Sequence, residues 1–367
     1  MKIALIVPGG VDRSGTHRVM PMILALLERI AANHEVHVIA LFQEPQPSTY
    51  ELLGATVHNI GTGWTAPRAL MTISREHSRA PFDILHAIWA SPSGALGAAA
   101  SRLLRVPLLV HLLGGELVSM PDIGYGEART RRGRWRVRFA LRTAQQITAQ
   151  SEFIITLANE AGFEAGRLPL GIDRDRWPAI PPRQREPATP ARLIHVASLN
   201  AVKDQATLLS AMALLRDHRI AYNLDIVGED TLGGRVQAMA RESGLVDQIT
   251  FHGFLEQQRL RPLLEDAHLL VMTSRHEAGP AVLMEAALAG VPTVGTRVGQ
   301  IAEWAPDAAV AVATGDAAGI AREITALLKD EDRRIALAAL AGQRASAEDA
   351  DWTAGRVERI YREMGSE

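Results

Sequence analysis

The chain has 367 residues, of which 47% are hydrophobic and 22% charged, and its formal net charge is −2. This length predicts two domains with sizeable cores, and the near-neutral charge argues against a nucleic-acid partner. The absence of cysteine excludes disulfides, a thiolate nucleophile and cysteine-ligated metals, and it is typical of a cytoplasmic protein. No apolar run reaches the roughly 18 residues that cross a membrane.

The first apolar run, Lys2–Val7, leads into a glycine turn, which is typical of a buried strand and not of a signal peptide. Short apolar runs then alternate with helical patterns, so we expect parallel sheets with helices on both faces. The predicted strands are Ile3–Val7, Val36–Leu41, Ile84–Ala87, Leu108–His111, Phe153–Leu157, Leu193–Val196, Leu224–Val227, Ile249–His252, Leu269–Met272 and Thr293–Gly295. The clearest helical patterns are Val19–Ala31, Thr207–His218, Gly234–Ser243 and Asp351–Met364.

Five prolines lie within residues 178–190, where neither a helix nor a central strand can continue. We therefore predict a linker here, between doubly wound domains at 1–177 and 191–350. Open α/β sheets bind ligands at the carboxyl ends of their strands, so two such domains facing each other would form a binding cleft. The last amphipathic pattern, about 351–367, predicts a final helix.

Glu277 and Glu285 lie eight positions apart across a predicted strand-to-helix turn. Pro280 suits the first position of the helix and Gly290 its C′ position. The free N–H groups at a helix start attract a pyrophosphate, while Glu277 can accept hydrogen bonds from sugar hydroxyls and Glu285 from a ribose. The plainer alternative is that Glu277 caps the helix and Glu285 is a solvated helix residue.

This stretch resembles the E-x7-E signature of retaining glycosyltransferases with the GT-B fold, in particular glycosyltransferase family 4. The shared features are Ser274-Arg275-His276-Glu277, the Glu285-Ala286 pair, the turn Gly290-Val291-Pro292 and the threonine that follows. The resemblance covers nearly the whole chain and is strongest from Leu193 to Glu303. It implies two Rossmann-like domains that face a cleft, with the final helix packed on the N-terminal, acceptor-side domain.

The donor phosphates are expected at two places. A lysine between a strand and a helix can meet a pyrophosphate as a point charge, and Lys203 holds that position, although a solvated surface lysine is the alternative. The resemblance implies phosphate contacts from Lys203 and from the backbone around Gly279, Pro280, Ala281 and Val282. Ser198 stands where the family usually has an arginine, which puts donor affinity in doubt.

In the N-terminal half, His111 lies at the end of a predicted strand and is followed by Gly114 and Gly115. A lone histidine is more often structural, but the resemblance implies that His111 lies beside the donor sugar, helps to position it and stabilises the reacting centre. The resemblance gives Glu277, the other predicted catalytic residue, the role of holding the sugar hydroxyls from the other domain. In the loop before the first helix, Gly15 matches the second glycine of the family's Gly-Gly-x-Glu stretch, near the donor phosphates or the acceptor. The first glycine and the glutamate are replaced by Ser14 and His17.

Phe254 and Leu255 resemble the stretch whose backbone binds the nucleotide base, although a core strand entering a turn explains the same letters. Asp173-Arg174-Asp175 spells D-x-D, a metal motif in the other large glycosyltransferase fold, but it lies next to the predicted linker and we interpret it as accidental. No metal or other cofactor is expected, because a helix start and Lys203 can carry the charge of the leaving group.

Residues 129–142 contain seven arginines, and Trp135 and Phe139 lie four positions apart. A basic amphipathic helix can rest on anionic lipid headgroups or bind an anionic acceptor. The alternative is a solvated face with a short core stripe. If lipid is bound, the enzyme would lie peripherally on the inner face of the membrane.

The resemblance therefore implies a retaining glycosyltransferase that moves a sugar from a UDP- or GDP-sugar to an acceptor hydroxyl, carbohydrate or lipid-linked. Two alternatives remain: a sugar-nucleotide-binding GT-B protein without turnover, suggested by Ser198, and a sugar-nucleotide epimerase, which shares the fold but lacks the Glu-Ala-Gly-Pro context of residues 277–280.

Overall fold

The computed structural model describes residues 1–186 and 189–365. It divides into two compact units, Met1–Asp173 with Glu348–Glu367, and Arg174–Ala347. Pro187 and Ala188 of the predicted linker, and Ser366 and Glu367 of the predicted final helix, lie outside the described residues. The described remainder of segment 178–190 belongs to the second unit.

The first unit contains one mainly parallel sheet. Its described strands run in the order β3-β4-β2-β1-β5-β6-β7-β8, and only the β3–β4 pair is antiparallel. Their bounds are β1 Lys2–Val7, β2 Glu35–Ala40, β3 Ser48–Leu52, β4 Ala55–Asn59, β5 Ile84–Ile88, β6 Leu108–Leu112, β7 Gln146–Ala149 and β8 Gly166–Arg167. All six residues of β1 are buried, as expected for a central strand covered on both faces.

The helices of the first unit are α1 Pro21–Ala31, α2 Thr65–Arg79, α3 Ala95–Leu104, α4 Arg131–Thr143, α5 Glu152–Glu160 and, from the end of the chain, α13 Ala350–Met364. α13 packs against α1. Its Tyr361 is fully buried, and the hydroxyl oxygen lies 2.7 Å from Nδ1 of His86 on β5. The last helix is therefore part of the first unit's core.

The second unit has a parallel sheet in the order β11-β10-β9-β12-β13-β14. Its strands are β9 Ala191–Val196, β10 Tyr222–Val227, β11 Ile249–Gly253, β12 Leu269–Met272, β13 Thr293–Thr296 and β14 Val310–Val312. Its helices are α6 Gln205–Asp217, α7 Arg235–Glu242, α8 Gln257–Asp266, α9 Ala281–Leu288, α10 Gly299–Trp304, α11 Ala317–Lys329 and α12 Glu331–Ala347. The β9–β12 pair lies where the strand order reverses, which is the usual ligand-binding position in such sheets.

The strand predicted at Phe153–Leu157 is wrong, because these residues lie inside helix α5. The residue types at 153–157 favour a strand. The buried positions, however, are Ser151, Ile154 and Ala158, and their spacing is helical. The strand on this side of the sheet is β7, whose residues follow directly on α4. Tertiary packing has overridden local β-propensity here.

The sequence analysis also overlooked four short strands: β3, β8 and β14 are edge strands, and β4 lies between β3 and β2. Edge strands are commonly short and carry polar side chains, so their apolar patterns are weak. Among the described residues, none of the helices combines the length and the hydropathy needed to cross a membrane.

Candidate functional site in the second unit and the loops of the first

The turn from β12 to α9 carries the two glutamates. Its loop, residues 273–280, follows four buried strand residues and ends at Pro280, whose φ of −70° and ψ of 127° make it the N-cap. The prediction that Pro280 is the first helical residue is thus wrong by one position, since Ala281 takes that place. Gly290 has a φ of +71°, in the left-handed region typical of the C′ position.

Glu277 and Lys203, predicted separately, are brought into contact. Nζ of Lys203 lies 2.5 Å from Oε1 of Glu277, and the hydroxyl of Ser274 donates to the same oxygen at 2.6 Å. The Lys203 and Glu277 side chains are 21% and 10% exposed, so solvent screens the ion pair only in part. These contacts exclude the solvated-lysine alternative, and Glu277 bonds to side chains and does not cap the helix.

Three hydrogen bonds to backbone carbonyl groups join the loop of Lys203 to the loop of Glu277. The Thr273 hydroxyl lies 3.0 Å from the carbonyl oxygens of both Lys203 and Asp204, and the Arg275 N–H donates to the Val202 carbonyl at 2.7 Å. The ion pair therefore sits on a rigid support. Ser198 is exposed in the first of these loops.

Glu285 lies in α9 and is only 4% exposed, so it is not a solvated helix residue. Burial raises the pKa of its carboxyl group to about 7, and a hydrogen bond from the side-chain amide of Gln257, at 3.1 Å, opposes that rise. A buried carboxyl group with one partner among the described residues retains acceptor capacity for a ligand hydroxyl.

Phe254 and Leu255 lie in the turn between β11 and α8, close in sequence to Gln257. The Phe254 side chain is 53% exposed, which excludes the alternative that it is a core residue. Gln257 connects this turn to Glu285. The predicted base and ribose positions are therefore adjacent.

Sequence reasoning missed Gly299 and Gln300, which hold the loop of Glu277 from the side of α10. Gly299 has a φ of +53°, and a Cβ there would lie 2.6 Å from the Ala278 carbonyl oxygen and 2.8 Å from that of Glu277. The Gln300 N–H donates to Ala278 at 3.1 Å. The only sequence signal was a glycine shortly after a strand, which by itself predicts just a turn.

His111 in the first unit lies within β6 and is fully buried. Its Nδ1 lies 3.0 Å from the Thr148 hydroxyl on β7. Burial lowers the pKa of His111 to about 4, and the Gln150 side chain opposes that shift, so the imidazole is neutral at pH 7.

Glu116 is a second residue that the sequence analysis left without a role. It is 3% exposed, and its carboxylate accepts backbone N–H groups of Leu113 at 3.1 Å and Gly114 at 2.8 Å. It also accepts the Ala90 N–H at 3.4 Å. Burial raises the pKa of Glu116, while these backbone bonds oppose the rise. Glu116 thus fixes the glycine loop that follows His111.

The first loop is fixed by Gln43, whose side-chain oxygen accepts the N–H groups of Gly10 at 2.7 Å and Val11 at 2.9 Å. Gly15 has a φ of +68°, and a Cβ there would meet no atom within 4 Å. The glycine is therefore required by the turn, and the space beside it is open.

Helix α4 presents the predicted basic stripe as a surface we call the arginine face. Trp135, which is 64% exposed, stacks on Phe139 with ring centroids 5.4 Å apart, and the Arg102 guanidinium lies 4.8 Å from the Phe139 ring. A cavity of about 450 Å³ on this face is lined by Arg102, Arg131, Arg134, Trp135, Arg138, Phe139 and Arg142. The Trp135 ring therefore lies on the exposed face, and the half-buried Phe139 ring lies between it and the buried side of the helix.

Two named enzymes are similar to this chain over different lengths. Glycogen synthase of Mycobacterium tuberculosis is 32% identical over 184 residues, which cover 50% of this chain and 44% of that protein. The chain thus spans less than half the length of this relative. The 2-deoxystreptamine glucosyltransferase of Streptomyces kanamyceticus is 27% identical over 332 residues, covering 83% of this chain and 82% of the relative.

Solved structures share the fold over the whole chain. Sucrose-phosphate synthase from Thermosynechococcus elongatus matches with a TM-score of 0.83 at 17% identity and covers 100% of both chains. Anabaena HepE in complex with UDP-glucose matches with a TM-score of 0.77 at 18% identity, covering 99% of this chain and 100% of that one. The expectation of a GT-B fold is thereby confirmed.

Two family models together account for most of the sequence. Residues 178–344 match the model described as glycosyl transferases group 1, and residues 14–171 match the glycosyl transferase 4-like domain. Together with the fold shared with the solved structures, these matches confirm the family resemblance of the residues around Glu277 and Glu285. The chain belongs to the group 1, family 4-like glycosyltransferases.

Proposed function

We propose that this protein transfers a sugar from a UDP-sugar to an acceptor hydroxyl with retention of anomeric configuration. The observation that carries the proposal is the cluster of Lys203, Glu277 and Ser274 at the start of α9, followed by the buried Glu285. In this proposal the acceptor oxygen bonds to the anomeric carbon as the bond from that carbon to the phosphate oxygen breaks. The departing diphosphate takes up the acceptor's proton.

Each donor group has a matching partner in the second unit. The N–H groups of Ala281 and Val282, in the first turn of α9, have no intrahelical acceptor and suit the diphosphate, with Lys203 as counter-charge. Gly279 and Pro280 shape the approach, although Pro280 has no N–H to donate.

The sugar and the nucleoside occupy the remaining contacts in this proposal. Glu277 accepts hydrogen bonds from the sugar hydroxyls, Glu285 binds the ribose, and Phe254 with Leu255 binds the base. Support for this order comes from Gln257, which lies just after the base turn and contacts Glu285. Donor phosphate charge is stabilised by fixed dipoles and one cation, which is the main contribution we expect to catalysis.

UDP-glucose is the first donor to test, because HepE, which shares the fold, has been solved with it. We expect UDP-glucose or another UDP-sugar to raise the melting temperature of the wild type, since ligand binding to the folded state stabilises it. Glu285→Ala should abolish this response, whereas Glu242→Gln, an exposed glutamate on α7, should keep it. GDP-mannose serves as the comparison donor.

Product analysis separates transfer from the two alternatives. A transferase releases UDP only when an acceptor is present and gives a glycoside with the donor's anomeric configuration, as measured by NMR. An epimerase changes the UDP-sugar without an acceptor, and a binding protein gives a thermal shift with neither product. The acceptor panel begins with glycogen, 2-deoxystreptamine and D-inositol 3-phosphate, the compounds that appear in the names of similar enzymes.

For the first unit we propose that His111 positions the donor sugar and that the Gly15 loop contributes to ligand binding. The neutral imidazole of His111 suits hydrogen bonding to a hydroxyl. His111→Ala should lower kcat by at least about tenfold, which corresponds to about 1.4 kcal/mol in the barrier. Unchanged kcat would assign His111 a purely structural role.

We also propose that the arginine face binds an anionic lipid surface and brings the enzyme to a lipid-linked acceptor. The exposed Trp135 ring, stacked on Phe139, and the surrounding guanidinium groups match an interfacial site. Vesicles with anionic lipid should sediment the wild type at low salt, and an Arg134→Gln, Arg138→Gln double variant should remain in solution. Equal sedimentation with zwitterionic vesicles would contradict this proposal. If the arginine face binds a soluble anionic acceptor and no vesicles, it is an acceptor site and not a lipid-binding surface.

A further inference from the structure

Two histidines and a glutamate meet in the first unit, apart from every residue assigned above. His37 lies on β2, His58 on β4 and Glu76 on α2, and they are 8%, 6% and 4% exposed. One ligand atom from each of the three lies within 4.8 Å of the other two. The cluster therefore joins two neighbouring strands to the helix that covers them.

The distances suit a metal ion. Nδ1 of His37 lies 3.0 Å from Nε2 of His58, a gap that two metal–nitrogen bonds of about 2.0–2.1 Å can span. The other nitrogen of His37, Nε2, lies 2.9 Å from the Glu35 carboxylate. A carboxylate in this position holds the proton on Nε2 and leaves the lone pair of Nδ1 directed at the cluster, as in many zinc sites.

His58 can supply the second nitrogen. Its Nδ1 is buried and has no hydrogen-bond partner among the described residues, so a proton can reside there while Nε2 binds a metal. His58 also lines an open cavity of about 650 Å³, so one of the three residues borders a space that solvent can enter.

We propose that His37, His58 and Glu76 form a zinc-binding site, with water as the fourth ligand. Two imidazoles and one carboxylate form a donor set that suits Zn²⁺ better than Mg²⁺ or Ca²⁺, which prefer oxygen ligands. The bound ion would clamp β2 and β4 to α2, and so would stabilise the edge of the first sheet without taking part in sugar transfer.

Cations around the cluster compete with the metal. Arg79 lies 2.9 Å and Arg75 3.2 Å from Glu76 Oε1, and Nζ of Lys2 lies 3.4 Å from the Glu35 carboxylate. A metal must draw the Glu76 carboxylate from these arginines. Because the Arg79 side chain is 65% exposed, its release into water is easy. Replacement of Arg79 by an uncharged residue should therefore tighten zinc binding. If His37 and His58 have only a structural role, this replacement should not change zinc binding.

The test is a calorimetric titration, in which Zn²⁺ alone is added to the metal-stripped full chain. We expect one ion per wild-type chain, a higher melting temperature with Zn²⁺ than with Mg²⁺, and severalfold tighter binding by Arg79→Gln. His58→Gln and Glu76→Gln should each weaken binding at least tenfold. His218→Gln, which changes an exposed histidine of the second unit, should bind as the wild type does.

A wild type that does not bind Zn²⁺, or His58→Gln and Glu76→Gln variants that bind it unchanged, would overturn the proposal. If either variant fails to fold, the absorption spectrum of the wild type loaded with Co²⁺ still tests the proposal. A four-coordinate absorption spectrum supports the site, and a six-coordinate spectrum contradicts it.

Discussion

At the scale of single residues, the candidate donor site depends on carboxylates held away from water. Within the described part of the chain, Glu285 is buried with one hydrogen-bond donor, Gln257, and Glu277 is held by Lys203 and Ser274. A buried carboxylate with few hydrogen-bond donors is costly, and a ligand hydroxyl that donates to it offsets that cost. Such residues are expected where binding is favoured at the expense of stability.

The pKa of Glu285 gives a prediction about stability. The folded-state value of about 7 lies above the ordinary 4.5, so the unfolded chain ionises first and stability is lost as pH rises between these values. Above pH 7 the loss amounts to about 3 kcal/mol. In urea unfolding, Glu285→Gln should therefore be more stable than wild type at pH 8 and nearly equal at pH 4.5. A difference that does not vary with pH would contradict this account.

The Lys203–Glu277 pair gives a second prediction. Removal of one partner leaves the other charge partly buried and unpaired, so Lys203→Met and Glu277→Gln should not be additive in their effects on stability. We expect a coupling of about 1–3 kcal/mol in a double-mutant cycle measured by urea unfolding. A coupling near zero would mean that solvent screens the pair.

At the scale of elements, loop 273–280 is shaped by the start of α10. Gly299 permits the Ala278 and Glu277 carbonyl groups to approach closer than a Cβ would allow. The close approach fixes the loop from one side, while Thr273 and Arg275 fix it from the other. A methyl group added at Gly299 should therefore weaken donor binding, although glycine has no side chain that could contact the donor.

Gly299→Ala tests this point. We expect about 1–3 kcal/mol of destabilisation from the strained φ and the close contacts, with a loss of donor affinity. Gly355→Ala is the matched control, because a Cβ there meets no atom within 4 Å and the position lies inside helix α13. The control should gain up to about 1 kcal/mol in stability. Equal donor Kd values for the two variants would count against the role of Gly299.

At the scale of the whole molecule, the first unit is built from both ends of the chain. Helix α13 packs on α1, and Tyr361 contacts His86 in the core. Burial lowers the pKa of His86 to about 3 and raises that of Tyr361 above its ordinary range, so both groups are neutral. Since both are fully buried, the hydrogen bond between them has no replacement from water.

Tyr361→Phe should therefore destabilise the first unit by about 1–3 kcal/mol, because it leaves Nδ1 of His86 without its partner. Hydrogen exchange should rise in peptides from 1–173 and 348–365 and stay unchanged in peptides from 174–347. Faster exchange throughout the chain would mean that the two units unfold together.

The sequence alone indicated the fold class and the central strands, and it predicted binding roles for Glu277, Glu285 and Lys203 that stay predictions. These features are local: a buried strand, a turn residue and a helix start follow from neighbouring letters. The helix at Phe153–Leu157 was decided only by the tertiary structure, because packing against the sheet outweighed the strand preference of those residues. Tertiary structure also decided the Lys203–Glu277 contact and the burial of Glu285, since both depend on residues distant in sequence.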